Sequence, residues 1–323
     1  MTLRIVEVGP RDGLQNEKTP IPTDAKLAFI NALIDAGLRE IEATSFVSPK
    51  WVPQLGDAAE LWPQLPVSKA LFSALVPNAK GLERALEVGV GRIALFTAAS
   101  DAFTQKNINM TVSESVAAFK DVIDQFRAAQ KPAPSAEVVQ TSPSLIAAIA
   151  ASVIEPAKGG WVRGYVSTAF ECPYAGRISP KQTAIVVHQL LALGCDEVSL
   201  GDTIGVATPT EVKALASELS GVAREKIAWH FHDTRGTAVS NIACALELGY
   251  GVFDSSAAGL GGCPYAPGAG GNLATEDLVY FLEREGIGTG VDPIALANAS
   301  LPTLQLLGKS PSAKAQLATL SAC

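Results

Sequence analysis

Two histidines in the segment WHFHD have a spacing that suggests metal chemistry. Side chains two positions apart in a β-strand point to the same side, so His230 and His232 would present their imidazoles together. Neutral imidazole is a common metal ligand, and the pair would supply two nitrogen atoms to one ion. A hydrogen-bonded histidine pair in a protein core is the alternative interpretation of this spacing.

Two other segments offer oxygen ligands for the same ion. Asp12 lies in VEVGPRDGLQNE near the N-terminus, and Asn272 is the last residue of GLGGCPYAPGAGGN. Together with the histidines they would form a set of two nitrogens and two oxygens, with positions left for a substrate. Such a mixed set is typical of octahedral Mg²⁺ or Mn²⁺ rather than of tetrahedral structural zinc.

Charged residues near this predicted metal site could stabilise an oxyanion and transfer protons. Arg11 is adjacent to Asp12, where its guanidinium would either face an anionic oxygen or form a plain salt bridge. Glu42, in REIEATSF, needs a partner if it is buried, and Arg11 or a metal-bound water fits that need. Asp202, in SLGDT, is placed to act as a base or to cap the helix that begins near Thr208.

Cys263 lies within the glycine-rich segment that runs from Gly259 to Asn272. So many glycines and prolines cannot bury a face of their own, so the segment predicts either a loop that covers a ligand or a flexible connection. A thiol on a covering loop can serve as an acid or a nucleophile. Cys195 and Cys244, by contrast, lie in helical patterns and are predicted to fill the core.

Eight short apolar or β-branched segments alternate with helical patterns along the chain, as in repeated β–α units of an α/β fold. The predicted strands cover residues 4–9, 39–46, 69–76, 91–98, 162–169, 196–202, 226–233 and 251–258. This alternation favours a closed (β/α)8 TIM barrel over an open doubly wound sheet, whose Gly-x-Gly-x-x-Gly turn is missing after the first strand. Because TIM-barrel active sites lie at the carboxyl ends of the strands, the barrel would bring the polar residues to one face.

Two parts of the chain depart from this alternation. The range 131–160 is longer than an ordinary helix-to-strand connection, and we expect an inserted segment with a short helix on the N-terminal face, where it would stabilise the fold or mediate association. Residues 1–286 would then form the barrel domain, and 287–323 a C-terminal helical extension. In that extension DPIALANASLPTLQLLG predicts one helix, followed by a tail that frays.

The composition excludes several classes of partner. The 323-residue chain has a formal net charge of −7, and nucleic acids and anionic membranes both require a basic surface. The sequence has no uninterrupted apolar run of membrane-spanning length and no signal-peptide pattern before the first strand. Its five cysteines lack disulfide spacing, which fits reduced thiols. We therefore expect a cytoplasmic protein that binds neither nucleic acid nor membrane. We also expect a homodimer or higher homo-oligomer.

Taken together, these motifs resemble the 3-hydroxy-3-methylglutaryl-coenzyme A lyases, a family of metal-dependent barrel enzymes. The matching segments run from Ile5 to Leu282 and include VEVGPRDGLQNE, SLGDTIG, HFHDTRG and GLGGCPYAPGAGGNLATEDLVY. The last segment is the specific one, because the related isopropylmalate and homocitrate synthases share the barrel and the histidine pair but are not expected to carry this cysteine loop.

The resemblance implies a reaction, its cofactor and its site residues. The reaction is the cleavage of 3-hydroxy-3-methylglutaryl-CoA, an acyl-CoA thioester, to acetyl-CoA and acetoacetate, as in leucine catabolism and ketone-body formation. The implied ligands of the Mg²⁺ or Mn²⁺ are Asp12, His230, His232 and Asn272. The implied catalytic residues are Arg11, Glu42, Asp202 and Cys263. The implied substrate contacts are Gln15, with Ser45, Tyr165 and Ser199 at the acyl group and Lys18, Ser100, Lys106 and Asn107 at the coenzyme A arm.

Other activities remain open at this point. Glu171, in ECPYAG, stands where the family usually has a small residue, so the substrate could be another branched 3-hydroxyacyl-CoA. A synthase that condenses an acyl-CoA with a 2-oxo acid would use the same barrel, but Cys263 and the lack of a long C-terminal regulatory domain argue against it. A catalytically inactive coenzyme A-binding barrel would have lost a metal ligand or the cysteine, and neither is lost.

Overall fold

A computed structural model describes residues 2–130, 160–262 and 271–322. Within these ranges, eight parallel strands form a closed barrel. The barrel strands are Arg4–Glu7 (β1), Glu40–Ser45 (β2), Leu71–Leu75 (β3), Arg92–Ala98 (β4), Trp161–Ser167 (β5), Glu197–Asp202 (β8), Ile227–Phe231 (β9) and Val252–Ser255 (β10). Around the barrel they follow the order β1-β10-β9-β8-β5-β4-β3-β2. Each overlaps one predicted strand, and the predicted TIM barrel is confirmed.

Helices follow most of the strands and cover the outside of the barrel. Their bounds are Thr23–Asp35 (α1), Ala58–Leu61 (α2), Ala79–Glu87 (α3), Asp101–Ile108 (α4), Val112–Ala129 (α5), Pro180–Ala192 (α6), Pro209–Glu218 (α7), Ala238–Glu247 (α8) and Thr275–Arg284 (α9). Several begin where a polar side chain satisfies free backbone N–H groups, as the capping box between Thr111 and Glu114 does for α5. None of the helices in the described ranges is long and apolar enough to cross a membrane.

The period of two along each strand separates the barrel interior from the main core. Trp229 and Phe231 of β9 point outward, where their rings stack on each other at 5.7 Å and on Phe170. Ala228 of the same strand instead packs in a small separate cluster with Val6, Val8 and Val252. The predicted alternation of β9 is therefore confirmed, and it turns His230 toward the inside of the barrel.

A short antiparallel hairpin follows β5, between Glu171–Cys172 (β6) and Gly176–Arg177 (β7). The sequence analysis did not predict this hairpin or helix α4, because both are too short to show a period. A loop that follows a barrel strand lies on the carboxyl-end face. Glu171 is therefore on the same face as the predicted site.

The C-terminal extension differs from the prediction of one helix and a fraying tail. It forms three helices, Pro293–Ala299 (α10), Leu301–Leu307 (α11) and Lys314–Ala322 (α12). Pro302 separates the first two, since it has no N–H to continue the helix. The buried side chain of Gln316 holds the third by donating to Ala297 O and Ser300 Oγ, both at 2.8 Å.

Most of the predicted inserted segment, 131–159, lies outside the described residues, as does the part of the glycine-rich segment that carries Cys263. The described ends of the insertion are the end of α5 and the start of β5. Arg127 Nη1 donates to Gly160 O at 3.2 Å there. A strand start lies on the N-terminal face of a parallel barrel, so both ends are on the face opposite the site. The placement of the insertion itself stays a prediction.

Candidate active site

Three predicted metal ligands lie together at the carboxyl-end mouth of the barrel. Asp12, His230 and His232 each place one ligand atom within 4.8 Å of the other two. The histidines come from the end of β9, and Asp12 comes from the turn after β1. Only β10 separates these two strands in the barrel. Closure of the barrel thus joins residues that are more than two hundred positions apart in the sequence.

The turn that carries Arg11 and Asp12 is held by backbone and side-chain hydrogen bonds. Val8 O accepts from the backbone N of Arg11, Asp12 and Gly13 at 3.1, 2.7 and 3.1 Å. Below the turn, the buried carboxylate of Glu7 accepts from Gly9 N at 2.7 Å, Ala257 N at 2.9 Å and Thr275 Oγ1 at 2.6 Å. One side chain thereby joins the ends of β1 and β10 to helix α9. The sequence analysis missed Glu7, because a single acidic residue in an apolar strand gives no local signal.

Asn272, the fourth predicted ligand, lies directly beside Asp12. Its Nδ2 donates to Asp12 Oδ2 at 2.9 Å and to Leu260 O at 3.1 Å. The preceding residue must be glycine, because a Cβ on Gly271 would overlap the carbonyl oxygens of Gly259 and Gly261. This close approach brings the two described ends of the glycine-rich segment together at the site.

Two buried polar atoms at this cluster lack hydrogen bonds. They are Asn272 Oδ1 and His232 Nδ1, and neither has a partner among the described residues. A buried polar atom without a partner is unfavourable by about 1–3 kcal/mol, so its presence needs a reason. A divalent ion coordinated by these two atoms would explain why they lack hydrogen bonds. Two imidazole nitrogens, a carboxylate and an amide oxygen are donors that suit Mg²⁺ or Mn²⁺, so the residues present fit such an ion.

The charges around the cluster favour metal binding at neutral pH. Burial would raise the pKa of Asp12, but nearby Arg11, together with the histidines, outweighs it and lowers that pKa to about 2. Burial and His230 lower the pKa of His232 to about 4. The carboxylate is therefore charged and the His232 imidazole neutral, which are the forms that bind a cation.

Arg11 bridges two carboxylates. Its Nε donates to Glu42 and its Nη1 donates to Asp12 at 2.6 Å. Both Arg11 and Glu42 are buried, with 6% and 0% of their surface exposed. The hydrogen bonds of Arg11 to described residues use only Nε and Nη1, which leaves Nη2 for a ligand. The expected contact between Glu42 and Arg11 is present.

Tyr165 continues this network across the inside of the barrel. Its hydroxyl donates to Glu42 Oε2 at 2.8 Å and accepts from Arg163 Nη1 at 3.1 Å. Arg163 in turn donates to Asp254 at 2.6 Å, and Asp254 contacts His230 Nδ1 at 3.1 Å. A continuous chain of buried polar groups therefore connects Arg11 to a metal-ligand candidate. The sequence analysis assigned no role to Arg163 or Asp254, because each is a single charged residue in a predicted strand.

Asp202 holds its own loop. It is 1% exposed, and its two oxygens accept from Val206 N at 2.9 Å and Ala207 N at 3.0 Å. Thr208 caps helix α7 through a capping box with Glu211, so the helix does not depend on Asp202. Burial raises the pKa of Asp202 to about 6, and the two backbone hydrogen bonds offset only part of this increase. A carboxyl that titrates near neutrality can accept a proton under physiological conditions.

The predicted acyl contacts are buried and bonded within the protein. Ser45 Oγ accepts from Val47 N at 3.2 Å, and Ser199 Oγ donates to Asp254 at 2.8 Å. Both serines are 0% exposed. Ser199 therefore belongs to the buried polar network beside His230, whereas the hydrogen bond of Ser45 is local.

The predicted coenzyme A contacts lie farther out. Lys18 and Lys106 are exposed, and Lys106 Nζ lies 4.0 Å from the centre of the Tyr174 ring in the loop of the hairpin. Asn107 Nδ2 donates to Phe103 O at 2.8 Å, and Ser100 is buried against Cys172. Gln15 has a buried Oε1 without a partner among the described residues.

Comparisons with known proteins agree with this geometry. The HMGL-like family profile matches residues 2–301. The mitochondrial hydroxymethylglutaryl-CoA lyase of Bos taurus is 46% identical over 319 residues, which are 98% of this chain and 89% of that protein. The 3-hydroxy-3-isohexenylglutaryl-CoA/hydroxy-methylglutaryl-CoA lyase of Pseudomonas aeruginosa is 46% identical over 324 residues, covering 99% of this chain and 97% of its own length.

Solved structures with a similar fold cover nearly the whole chain. The crystal structure of hydroxymethylglutaryl-CoA lyase from Pseudomonas aeruginosa aligns with a TM-score of 0.87 at 45% identity, over 100% of this chain and 98% of that one. An HMG-CoA lyase from Acinetobacter baumannii, in complex with coenzyme A and 3-methylmalate, aligns with a TM-score of 0.81 at 38% identity, over 97% and 95% of the two chains. With its barrel and this agreement along nearly its full length, the chain belongs to the HMGL-like family.

Proposed function

We propose that this chain cleaves 3-hydroxy-3-methylglutaryl-CoA to acetyl-CoA and acetoacetate, as a carbon–carbon lyase. The observation that carries this proposal is the cluster of Asp12, His230 and His232 with Arg11 beside it at the mouth of the barrel. The names of the relatives support the same activity, since hydroxymethylglutaryl-CoA lyases match nearly the whole chain at 46% identity.

The proposed cofactor is Mg²⁺ or Mn²⁺. Asp12, His230, His232 and Asn272 would hold it. When bound, such an ion polarises the oxygens of a chelating hydroxyl and carbonyl or carboxylate group and lowers the pKa of the hydroxyl.

The proton at the tertiary hydroxyl of the substrate would go to Asp202 or to a water linked to it. The pKa of about 6 suits that role, and the backbone hydrogen bonds hold the carboxylate in a fixed position. As the hydroxyl oxygen becomes the ketone oxygen of acetoacetate, the bond between C2 and C3 breaks. Its electron pair stays on C2, as the enolate of the acetyl-CoA thioester.

The thioester enolate needs a cation at its oxygen and an acid at its carbon. Arg11 would supply the cation through Nη2, because Nε and Nη1 are bonded to Glu42 and Asp12. Glu42 and Tyr165 would keep the guanidinium in place. Cys263 would donate the proton to C2 and complete acetyl-CoA. This last role rests on the sequence, since Cys263 lies outside the described residues.

The substrate contacts are proposed from the same family match. Lys18 and Lys106 are exposed cations that suit the phosphates of coenzyme A. Asn107 lies on helix α4 with Lys106, and Ser100 is the N-cap of that helix. Gln15, Ser45, Tyr165 and Ser199 would shape the acyl end of the site. The cytoplasmic location, the homo-oligomer and the role in leucine catabolism and ketone-body formation stay predictions.

A longer branched acyl chain is the second candidate substrate. One observation favours it, namely that the Pseudomonas aeruginosa relative is named for both 3-hydroxy-3-isohexenylglutaryl-CoA and hydroxy-methylglutaryl-CoA. Glu171 on the hairpin beside the mouth is a carboxylate that would discriminate between acyl chains.

Product analysis of the purified protein tests both candidates. Protein freed of metal by a chelator would be incubated with each thioester, with and without Mg²⁺ or Mn²⁺, and acetyl-CoA and the released oxo acid would be measured by mass spectrometry. We expect metal-dependent acetoacetate and acetyl-CoA from 3-hydroxy-3-methylglutaryl-CoA. His232→Ala removes one proposed metal ligand and should lower this metal-dependent activity. His188→Ala is its matched control, because His188 is an exposed histidine on α6. The absence of acetoacetate in the presence of metal would refute the main proposal.

A further inference from the structure

Asp254 is a buried carboxylate that the reaction described above does not use. It lies on β10 directly opposite His230 on β9, and 1% of its surface is exposed. Its Oδ2 lies 3.1 Å from His230 Nδ1 and accepts from Ser199 Oγ at 2.8 Å, and its Oδ1 accepts from Arg163 Nη2 at 2.6 Å. Three donors therefore converge on one carboxylate next to the metal-ligand cluster.

This contact determines which nitrogen of His230 carries the hydrogen. An ionised carboxylate can only accept, so Nδ1 must be the N–H of the neutral ring. The lone pair is then on Nε2, which lies 4.0 Å from Asp12 Oδ2 and so faces the cluster. The opposite tautomer would turn an Nδ1 lone pair toward Asp254 and leave no nitrogen free to bind an ion.

Arg163 keeps Asp254 ionised and oriented. The guanidinium is 1% exposed and also forms an ion pair with Glu197, where Nε and Oε1 are 2.9 Å apart. Its Nη2 lies 2.6 Å from Asp254 Oδ1, so a buried positive charge faces the carboxylate and favours its ionised form. The carboxylate is therefore a fixed negative charge behind His230.

The other histidine of the cluster is held differently. His232 Nδ1 has no hydrogen-bond partner among the described residues, whereas His230 Nδ1 has Asp254. A change at position 254 should therefore alter one ligand of the pair and spare the other. This asymmetry makes the role of Asp254 measurable.

We propose that Asp254 is a positioning residue for the metal centre, which fixes His230 as the Nδ1–H tautomer and aims Nε2 at the ion. The proposal rests on the metal site of the proposed function. A carboxylate behind a metal-binding histidine orients the ring and raises its basicity, and its loss typically lowers metal affinity by about 10–100-fold.

Asp254→Asn tests this role with almost no change in shape. Oδ1 of Asp254 contacts Arg163 and Oδ2 contacts both His230 and Ser199, so the NH2 group of asparagine must face either Arg163 or the other two. The charged Arg163 would retain the amide oxygen, and the NH2 group would then face His230 Nδ1. We expect His230 to shift toward the Nε2–H tautomer, and we expect the dissociation constant for Mn²⁺ to rise by about 10–100-fold.

The tautomers can be measured directly, because the chain contains three histidines. Long-range proton–nitrogen-15 correlation spectra of metal-free, histidine-labelled protein would report each ring, with assignments from single His→Gln variants. Mn²⁺ affinity would be measured on the same samples by titration calorimetry, and folding by circular dichroism and thermal unfolding. Asp57→Asn is the matched control, since Asp57 is ion-paired with the buried Lys26, and it should leave the tautomers and the Mn²⁺ affinity unchanged.

The outcomes separate this inference from the proposed function. Wild-type protein that binds no Mn²⁺ would overturn both. Wild-type protein that binds Mn²⁺, with a folded Asp254→Asn variant that binds it equally tightly and keeps the His230 tautomer, would overturn only the role of Asp254. If Asp254→Asn does not fold, the wild-type spectrum decides, because a His230 ring with its hydrogen on Nε2 contradicts the proposal.

Discussion

Replacing Arg11 with lysine would keep the positive charge at the mouth of the barrel and remove the planar fork. The guanidinium donates from Nε to Glu42 and from Nη1 to Asp12 at 2.6 Å, which leaves Nη2 for the enolate oxygen. A lysine ammonium is a compact point charge on a flexible side chain, and it cannot contact Glu42, Asp12 and the enolate oxygen at the same time. The carboxylates of Glu42 and Asp12 are present before the substrate arrives, so the ammonium would stay with them, and the contact with the enolate would be lost.

The size of the effect follows from the contact that is lost. Removing one donor to a developing oxyanion lowers turnover by about 10²–10³-fold, which corresponds to about 2.7–4 kcal/mol. We expect Arg11→Lys to lower turnover by about 10²-fold, near 3 kcal/mol, because the remaining charge still acts at longer range. The dissociation constant of the substrate should change little, since the enolate charge exists only in the transition state.

The assay measures two constants on the same variant, turnover and the substrate dissociation constant. The dissociation constant is measured under conditions without metal-dependent turnover. Arg127→Lys is the matched control, because Arg127 also donates through two nitrogens but lies at the opposite face, beside Gly160 and Asp196. It should leave both constants unchanged. A variant at position 11 that loses affinity and keeps its turnover would show that Arg11 is a binding or structural cation, and the enolate assignment would be wrong.

Four further predictions follow from the proposed site and the fold. Chelation should abolish turnover and added Mg²⁺ or Mn²⁺ should restore it, while His232→Ala should weaken Mn²⁺ binding strongly by removing one ligand; full turnover by metal-free protein would contradict this. Cys263→Ser should retain metal and substrate binding and lower turnover by roughly 10²–10⁴-fold, as expected for the loss of a general acid, whereas a native rate would leave the loop only a covering role. Replacing 131–160 by a short Gly-Ser bridge should lower stability or change the oligomer and leave the KM within a few fold, and loss of thioester binding in a folded deletion would show that the segment belongs to the site. Burial raises the pKa of Glu276 from 4.5 to about 8, so the protonated form stabilises the folded protein. Its contribution to the free energy of unfolding is fully present below pH 4.5 and is lost as the pH rises to about 8. Urea unfolding across this pH range should show a smaller decrease in the free energy of unfolding for Glu276→Gln than for the wild type. An equal decrease in both proteins would refute the raised pKa of Glu276.

Patterns of short range predicted most of the barrel. The period of two in WHFHD places both histidines on one side of β9, because side-chain direction in a strand depends only on the local backbone. Caps such as Thr111 and Ser179 mark helix starts for the same reason, since they satisfy N–H groups two or three residues away. The closed barrel then followed from counting eight alternating units.

The C-terminal extension shows where local patterns mislead. The apolar spacing of 292–308 predicts one helix, but Pro302 divides it into two. The last helix contains many small residues and was expected to fray. It is held instead by Gln316, whose partners Ala297 and Ser300 come from another part of the chain. Propensity alone cannot report such a contact.

The sequence by itself therefore determined the fold class, the predicted metal ligands and the family. Each of these depends on local periodicity or on residues within a recognisable motif. Only the tertiary structure decided that Asp254 lies behind His230 and that Glu7 joins the ends of two strands to a helix. Both are single acidic residues in apolar strands, and their partners depend on strand register and barrel closure. Register is set by the packing of the whole barrel, so no short segment of the sequence carries that information.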